Sequence, residues 1–278
     1  GIASRGLGDV YKRQRYWSFT ARTSPTSSRS IFPRISVTWS CRTTSPTSSN
    51  PTSAGCGRKI ADVSNLDKDH KPFQREDRRR FFNFGNQLWH SDSSFRVVPA
   101  KYSLLSARTV VSRGGNTEFA DMRAAYDALD DYGRQEVDEL ICEHSLMYSR
   151  GLLGFSDLTE DEKANFKPVR QSLVRTHPVT GRKSLYLSAH AGGIIGMPMP
   201  EARSLLRDLN DHATHPRFVY VHKWQQYDLI MWDNRQTMHR VRRFPDQTEV
   251  RDMRRTTLTS GVQTALQENQ TQASVAAE

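Results

Sequence analysis

Asn86-Gln87-Leu88-Trp89-His90-Ser91-Asp92-Ser93-Ser94-Phe95 sets a histidine and, two residues on, an aspartate inside an apolar, aromatic-flanked run. In an extended strand that spacing puts both side chains on one face, where they can hold one metal ion. Two protein ligands leave a divalent ion underbound, so a third is expected from elsewhere. The best candidate is the downstream stretch Leu229-Ile230-Met231-Trp232-Asp233-Asn234-Arg235-Gln236-Thr237-Met238-His239-Arg240. Two imidazoles and one carboxylate on one face of an octahedron suit non-haem Fe(II) and leave three positions open. By itself His-x-Asp is common, and a lone histidine more often satisfies a local hydrogen bond than a metal.

Three further motifs stand in order around this pair: Gly114-Gly115-Asn116-Thr117-Glu118-Phe119, Asp121-Met122-Arg123-Ala124-Ala125-Tyr126-Asp127-Ala128-Leu129 and Met231-Trp232-Asp233-Asn234-Arg235. On these motifs, from about Ile60 to Gly261, the chain resembles the taurine dioxygenase family of Fe(II)/2-oxoglutarate enzymes, in the branch typified by 2,4-dichlorophenoxyacetate dioxygenase. The resemblance implies that His90, Asp92 and His239 ligate Fe(II), with 2-oxoglutarate chelating two open positions and O2 taking the last. It also implies that Thr117 and Arg251 hold the far carboxylate of 2-oxoglutarate and that Arg255, four residues on, faces the substrate anion. A planar guanidinium suits either task, since it meets a carboxylate through two parallel charge-assisted bonds. Arg254 is the alternative to Arg255, because the loop after His239 is one residue longer than in the branch; strand parity points Arg254 outward. Asn86, His177 and His190 match positions near substrate in the family. One departure is Asn116, where the family usually has Asp; both make the same local turn bonds.

The implied reaction hydroxylates an aryloxyalkanoate, such as 2,4-dichlorophenoxyacetate, with release of a phenol, succinate and CO2. An alkylsulfonate substrate, or an inactive truncated barrel, is the alternative. Outside this class, an RNA-binding protein would require the basic first 59 residues to carry the function.

The chain has 278 residues and a net charge of +10, but the charge is unevenly spread. Residues 1–59 hold ten Arg or Lys and one acidic residue, and the remainder holds 30 basic and 29 acidic residues. The enzyme-like part is therefore almost neutral, which removes the prompt for a nucleic-acid partner. From Arg15 to Cys56 there are 19 Ser or Thr and no Lys, Asp or Glu, with no sustained strand or helix period. Upstream, Asp9-Val10-Tyr11-Lys12-Arg13-Gln14 resembles a translated sequencing adaptor, of the kind excluded from fold reasoning. The expected organisation is a non-native or disordered segment at 1–57, a dioxygenase domain at 58–261 lacking its native N-terminal part, and a disordered tail at 262–278. No apolar run spans a membrane, and two of the three cysteines, Cys41 and Cys56, fall in the first segment, leaving Cys142 alone. A reducing cytoplasm and a small-molecule carboxylate substrate, with self-association left open, complete this reading.

Periodicity supplies the rest. Strands are expected at Ile60–Asn65, Tyr102–Val111, Ser184–His190 and Met253–Leu258. A hairpin is expected from Phe218–Trp224 and Asp228–Trp232, and a charged loop from Lys68 to Arg80. A helical pair is expected between Asp121 and Leu140 with Gly133 at its break, a capped helix at Thr159 and Glu162, and a helix from Pro200 burying Ala202, Leu205, Leu206 and Leu209. Short strands with helices confined to inserts fit a barrel or jelly roll better than βαβ units. The resemblance implies a mainly β fold, the double-stranded β-helix.

Overall fold

The computed structural model describes residues 16–23, 35–42, 60–155, 157–259 and 261–267. The chain divides into two compact units, Gly1–Gly57 and Arg58–Glu278. In the first, β1 (Tyr16–Thr23) pairs antiparallel with β2 (Ile35–Arg42), although the sequence there shows no strand period. Aromatic and β-branched residues carry strand propensity without alternation.

The second unit begins with β3 (Ala61–Asp62), α1 (Arg78–Asn83) and a 3-10 turn at Phe84–Gln87. Asp77 caps α1, so the expected charged loop closes into a helix at its end. Next come β4 (Ala100–Thr109), β5 (Thr117–Asp121), α2 (Met122–Asp127), α3 (Asp131–Val137), β6 (Ile141–His144), α4 (Leu146–Gly151) and α5 (Glu160–Asn165). The chain continues through β7 (Val169–Ser172), β8 (Val174–Thr176), β9 (Lys183–Leu185), β10 (Ala191–Ile194) and α6 (Met199–Ala213). It ends with β11 (Val219–His222), β12 (Leu229–Asp233), β13 (Thr237–Val241) and β14 (Asp252–Thr259).

Two antiparallel sheets position the site, one in the order β12-β4-β14-β3 and the other β11-β5-β13. Helix α6 lays Ala202, Leu206, Leu209 and Ala213 into the core, where they meet Met122, Ala125, Phe218 and Met238. Burying a side chain such as Leu206 contributes about 1.5–3 kcal/mol. Met238 and its neighbour His239 are both buried, on opposite faces of β13, so one strand serves the core and the site.

Three local expectations are corrected. Strands β11 and β12 do not form a hairpin: β11 pairs with β5 and β12 with β4, and the chain crosses between sheets through Tyr227 at φ +71°. Alternation reports which face a residue takes and does not name the partner strand. The expected strand at Ser184–His190 stops at Leu185, because the following residues dock on the ligand-bearing segment: Ala189 N donates to Trp89 O at 2.7 Å and Ser91 Oγ to Leu187 O at 3.3 Å. The break between α2 and α3 is set by Asp130, which caps α3 through the Gly133 amide at 2.7 Å, and Gly133 lies inside α3. The capping box of Thr159 and Glu162 is present.

Gly114 is required by its turn. Its φ is +71°, and a Cβ there would lie 2.2 Å from the Arg243 carbonyl oxygen. Because that neighbour is backbone, Gly114→Ala is expected to lower stability by about 1–3 kcal/mol. A urea melt would check it, and an unchanged midpoint would contradict the close approach.

Candidate active site

His90 and His239 meet across an isolated antiparallel bridge, in which His90 N donates to His239 O at 3.0 Å and His239 N to His90 O at 2.8 Å. This backbone pairing brings ligands distant in sequence to one point. Just after Asp92 the chain reverses, with Ser93 at φ +57°. One ligating atom from each of His90, Asp92 and His239 lies within 4.8 Å of the others, and all three residues are buried.

The donor set fits a divalent cation. His90 Nδ1 sits 2.8 Å from the Leu88 carbonyl, which can only accept, so the ring is protonated there and offers its Nε2 lone pair. Burial lowers the pKa of both imidazoles below the usual histidine value. Their 3.9 Å separations from the Asp92 oxygens are therefore those of neutral ligands beside a carboxylate, and not of ion pairs. Burial alone would raise the Asp92 carboxyl, but the Arg255 guanidinium, with the Ser103 hydroxyl, outweighs it and holds the group ionised, below its usual range. His239 Nδ1 is buried without a hydrogen-bond partner.

Asp92 is held from several sides. Ser103 Oγ donates to Oδ2 at 2.6 Å and Arg255 Nη1 to Oδ1 at 2.6 Å, while the Asp92 amide donates to Asn234 Oδ1 at 3.1 Å. Asn234 in turn donates to Ser103 Oγ at 2.9 Å and accepts the Trp232 indole N–H at 2.9 Å. Ser103 escaped the sequence reading. It reaches the site only because β4 pairs with β12 in the register Trp232↔Ser103.

A cavity beside the ligands is lined by His90, His239, Asn86, Thr117, Arg251 and Arg255, with Leu105, Phe84, Trp232 and Phe244 among its apolar walls. Arg251 is 6% exposed; burial pushes its guanidinium down to about 10, and its polar contact is a 3.3 Å bond from Nη2 to Gly115 O. Thr117 Oγ1 accepts the Trp224 indole N–H at 2.9 Å, which leaves its hydroxyl proton available to another acceptor. Arg254 turns to the other face and pairs with Asp62 and Asp252, each at 2.7 Å.

Two further residues singled out from the sequence do not line this cavity. His190 stands edge-on to Phe95 at 4.9 Å and 6.2 Å from the His90 ring, with Nδ1 2.9 Å from Ser149 Oγ. His177 accepts the Val179 and Thr180 amides at Nδ1, while its Nε2 lies 2.8 Å from Arg235 Nη2 and 3.3 Å from Asp233 Oδ2. Among the described residues, Arg80 and Asp246 also line the cavity and are paired at 2.6 Å.

Residues 45–257 match the family described as "Taurine catabolism dioxygenase TauD, TfdA family". Over 199 residues the chain is 49% identical to a protein of Cupriavidus pinatubonensis named alpha-ketoglutarate-dependent 2,4-dichlorophenoxyacetate dioxygenase, covering 72% of this chain and 69% of that one. It is 43% identical over 164 residues to the (S)-phenoxypropionate/alpha-ketoglutarate-dioxygenase of Sphingobium herbicidovorans, covering 56% and 57%. The crystal structure of AAD-2 in complex with Mn(II) and N-oxalylglycine superposes with a TM-score of 0.73 at 66% identity, covering 74% and 71%.

Proposed function

The chain belongs to the taurine catabolism dioxygenase family that includes TauD and TfdA, and from this we propose that it is an Fe(II)/2-oxoglutarate dioxygenase hydroxylating an aryloxyalkanoate, with release of a phenol, succinate and CO2. The observation that carries the proposal is the buried His90, Asp92 and His239 cluster beside a cavity that is also lined by Arg80, Arg251 and Arg255. Iron bound there supplies O2-dependent oxidation coupled to decarboxylation of 2-oxoglutarate.

The chain's own residues do the positioning. Asp92 stays ionised and the two imidazoles stay neutral, the states in which each can ligate. Arg251 and the Thr117 hydroxyl take the far carboxylate of 2-oxoglutarate, and Arg255 and Asn86 take the substrate end. The apolar walls at Leu105, Phe84 and Trp232 suit an aryl ring and exclude water. His190 acts beside His90, and His177 acts through the Asp233 and Arg235 turn that precedes β13. Hydroxylation of the carbon between ether oxygen and carboxylate gives a hemiacetal, which collapses to a phenol and, for an aryloxyacetate, glyoxylate.

The same reading takes residues 58–261 as the catalytic domain and its two main sheets as the faces of a double-stranded β-helix. Residues 1–57 and 262–278 lie outside that domain, and the compartment is the cytoplasm. Among the described residues no helix is long and apolar enough to cross a membrane.

Anaerobically purified protein given Fe(II), 2-oxoglutarate and 2,4-dichlorophenoxyacetate, then O2, is expected to form succinate and phenol in equal amounts. Succinate without phenol would move the substrate to the alkylsulfonates. Neither product, from folded and iron-loaded protein, would overturn the proposal.

A further inference from the structure

The cavity that holds His90, His239 and Arg251 shares Arg80, Phe244 and Asp246 with a shallower groove lined by Arg113, Gly114 and Arg243. Through Gly114 and Arg243 that groove continues into a third depression, which carries Glu118, Arg240 and Arg242. Most charges on this rim are spent on each other. Arg80 pairs with Asp246 at 2.6 Å, and Arg240 and Arg242 share Glu118 at 2.7 and 3.6 Å. Glu249 accepts the Ser112 amide and hydroxyl at 2.6 and 2.8 Å. Arg113 and Arg243 are exposed; Arg113 is near enough to help the Ser112 amide and hydroxyl hold the Glu249 carboxyl below its usual range, and neither arginine forms a close salt bridge with a carboxylate among the described residues.

The backbone that carries these two arginines is tied together. Gly115 N donates to Arg243 O at 3.3 Å and Arg242 N to Asn116 O at 2.8 Å, so the turn bearing Arg113 and the loop bearing Arg243 are bonded back to back. The same turn reaches inward, because Gly115 O accepts Arg251 Nη2. An anion crossing this rim therefore passes two exposed guanidiniums outside any close salt bridge and arrives at a third, buried one.

We infer that the groove around Arg113 and Arg243 is an entry vestibule for a small dicarboxylate, which it captures electrostatically and delivers to Arg251. The inference rests on the reading of Arg251 as the anchor for 2-oxoglutarate. Exposed cations above a low-dielectric cleft focus field lines and raise the encounter rate of an anion, an effect that salt removes. Arg113 and Arg243 touch nothing in the metal site, so they act on arrival and not on residence.

The test uses the full chain loaded with Mn(II) and follows 2-oxoglutarate binding by stopped-flow tryptophan fluorescence, since Trp232 lines the cavity. In the Arg113→Gln, Arg243→Gln double variant the association rate is expected to fall roughly threefold to tenfold at low ionic strength. The difference should vanish at high salt, with the dissociation rate unchanged. A lysine pair at the same positions should restore the rate, and equal melting temperatures would exclude a folding defect. An unchanged association rate, a loss that persists at high salt, or a faster dissociation would each overturn the vestibule. A wild-type protein giving no 2-oxoglutarate signal would overturn the reading of the cavity itself, and the vestibule with it.

Discussion

Asp92→Ala is expected to give a folded protein that no longer retains metal and forms no succinate. The loss follows from the geometry of the cluster, where the carboxylate is the single anionic donor and stands 3.9 Å from both Nε2 atoms. Two neutral imidazoles remain, and metal affinity should fall by more than about 100-fold, the upper end of what losing a mere outer-shell partner costs. The fold should survive, because the bridge between His90 and His239 is made by backbone and Asn234 still binds Ser103 and Trp232. Arg255 loses its partner, but its side chain is 28% exposed and can turn to water in the cavity. Calorimetric titration of the metal-free protein with Mn(II), alongside a thermal melt, separates the two effects. Tight Mn(II) binding by the variant would remove Asp92 from the metal site.

The residues of that cluster were legible through the family resemblance, because a His-x-Asp pair alone is common and the motifs around it are what singled it out. His90 and Asp92 sit two apart in one aromatic-flanked run, and His239 ends a run of the same character. Arg251 and Arg255 could be told from Arg254 by strand parity, which β14 keeps: Arg255 reaches Asp92 while Arg254 reaches Asp62. Ser103 was invisible for the opposite reason. A serine within β4 carries no mark of its own, and only the register with β12 sets it against Asp92. The hairpin drawn between β11 and β12 failed on the same point, since each strand reads correctly by period while its hydrogen bonds go to β5 and β4. Residues 186–190 read as strand because they alternate, but they pair with the irregular segment at Trp89–Ser91, which no propensity anticipates. Sequence period therefore reported faces, and strand ends less well. Pairing between distant segments, where the Asp92 support is built, came only with the fold.

Arg251→Met should move ligand binding and stability in opposite directions. The wild-type guanidinium is 6% exposed, no carboxylate among the described residues pairs with it, and burial pushes it down to about 10. It is still charged at neutral pH, so the penalty applies throughout the physiological range and is relieved only as pH rises through about 10. That penalty is on the order of 3 kcal/mol, since each pKa unit corresponds to about 1.4 kcal/mol. Methionine of similar reach removes the buried charge, and the ligand-free protein should melt at the same temperature or higher. A residue kept only for its bond to Gly115 O would give the reverse, a less stable variant. Binding of 2-oxoglutarate should suffer instead. Hydrogen bonds to a charged group are worth about 1.5–3 kcal/mol, so the dissociation constant should rise roughly 10- to 150-fold. Thr117 alone then holds the far carboxylate. Ligand that binds the native state raises its stability by mass action, so adding Mn(II) and 2-oxoglutarate should lift the wild-type melting temperature well above that of the variant. If the variant gained as much as the wild type, Arg251 would not be the anchor, and its unpaired charge in this cavity would require another anion.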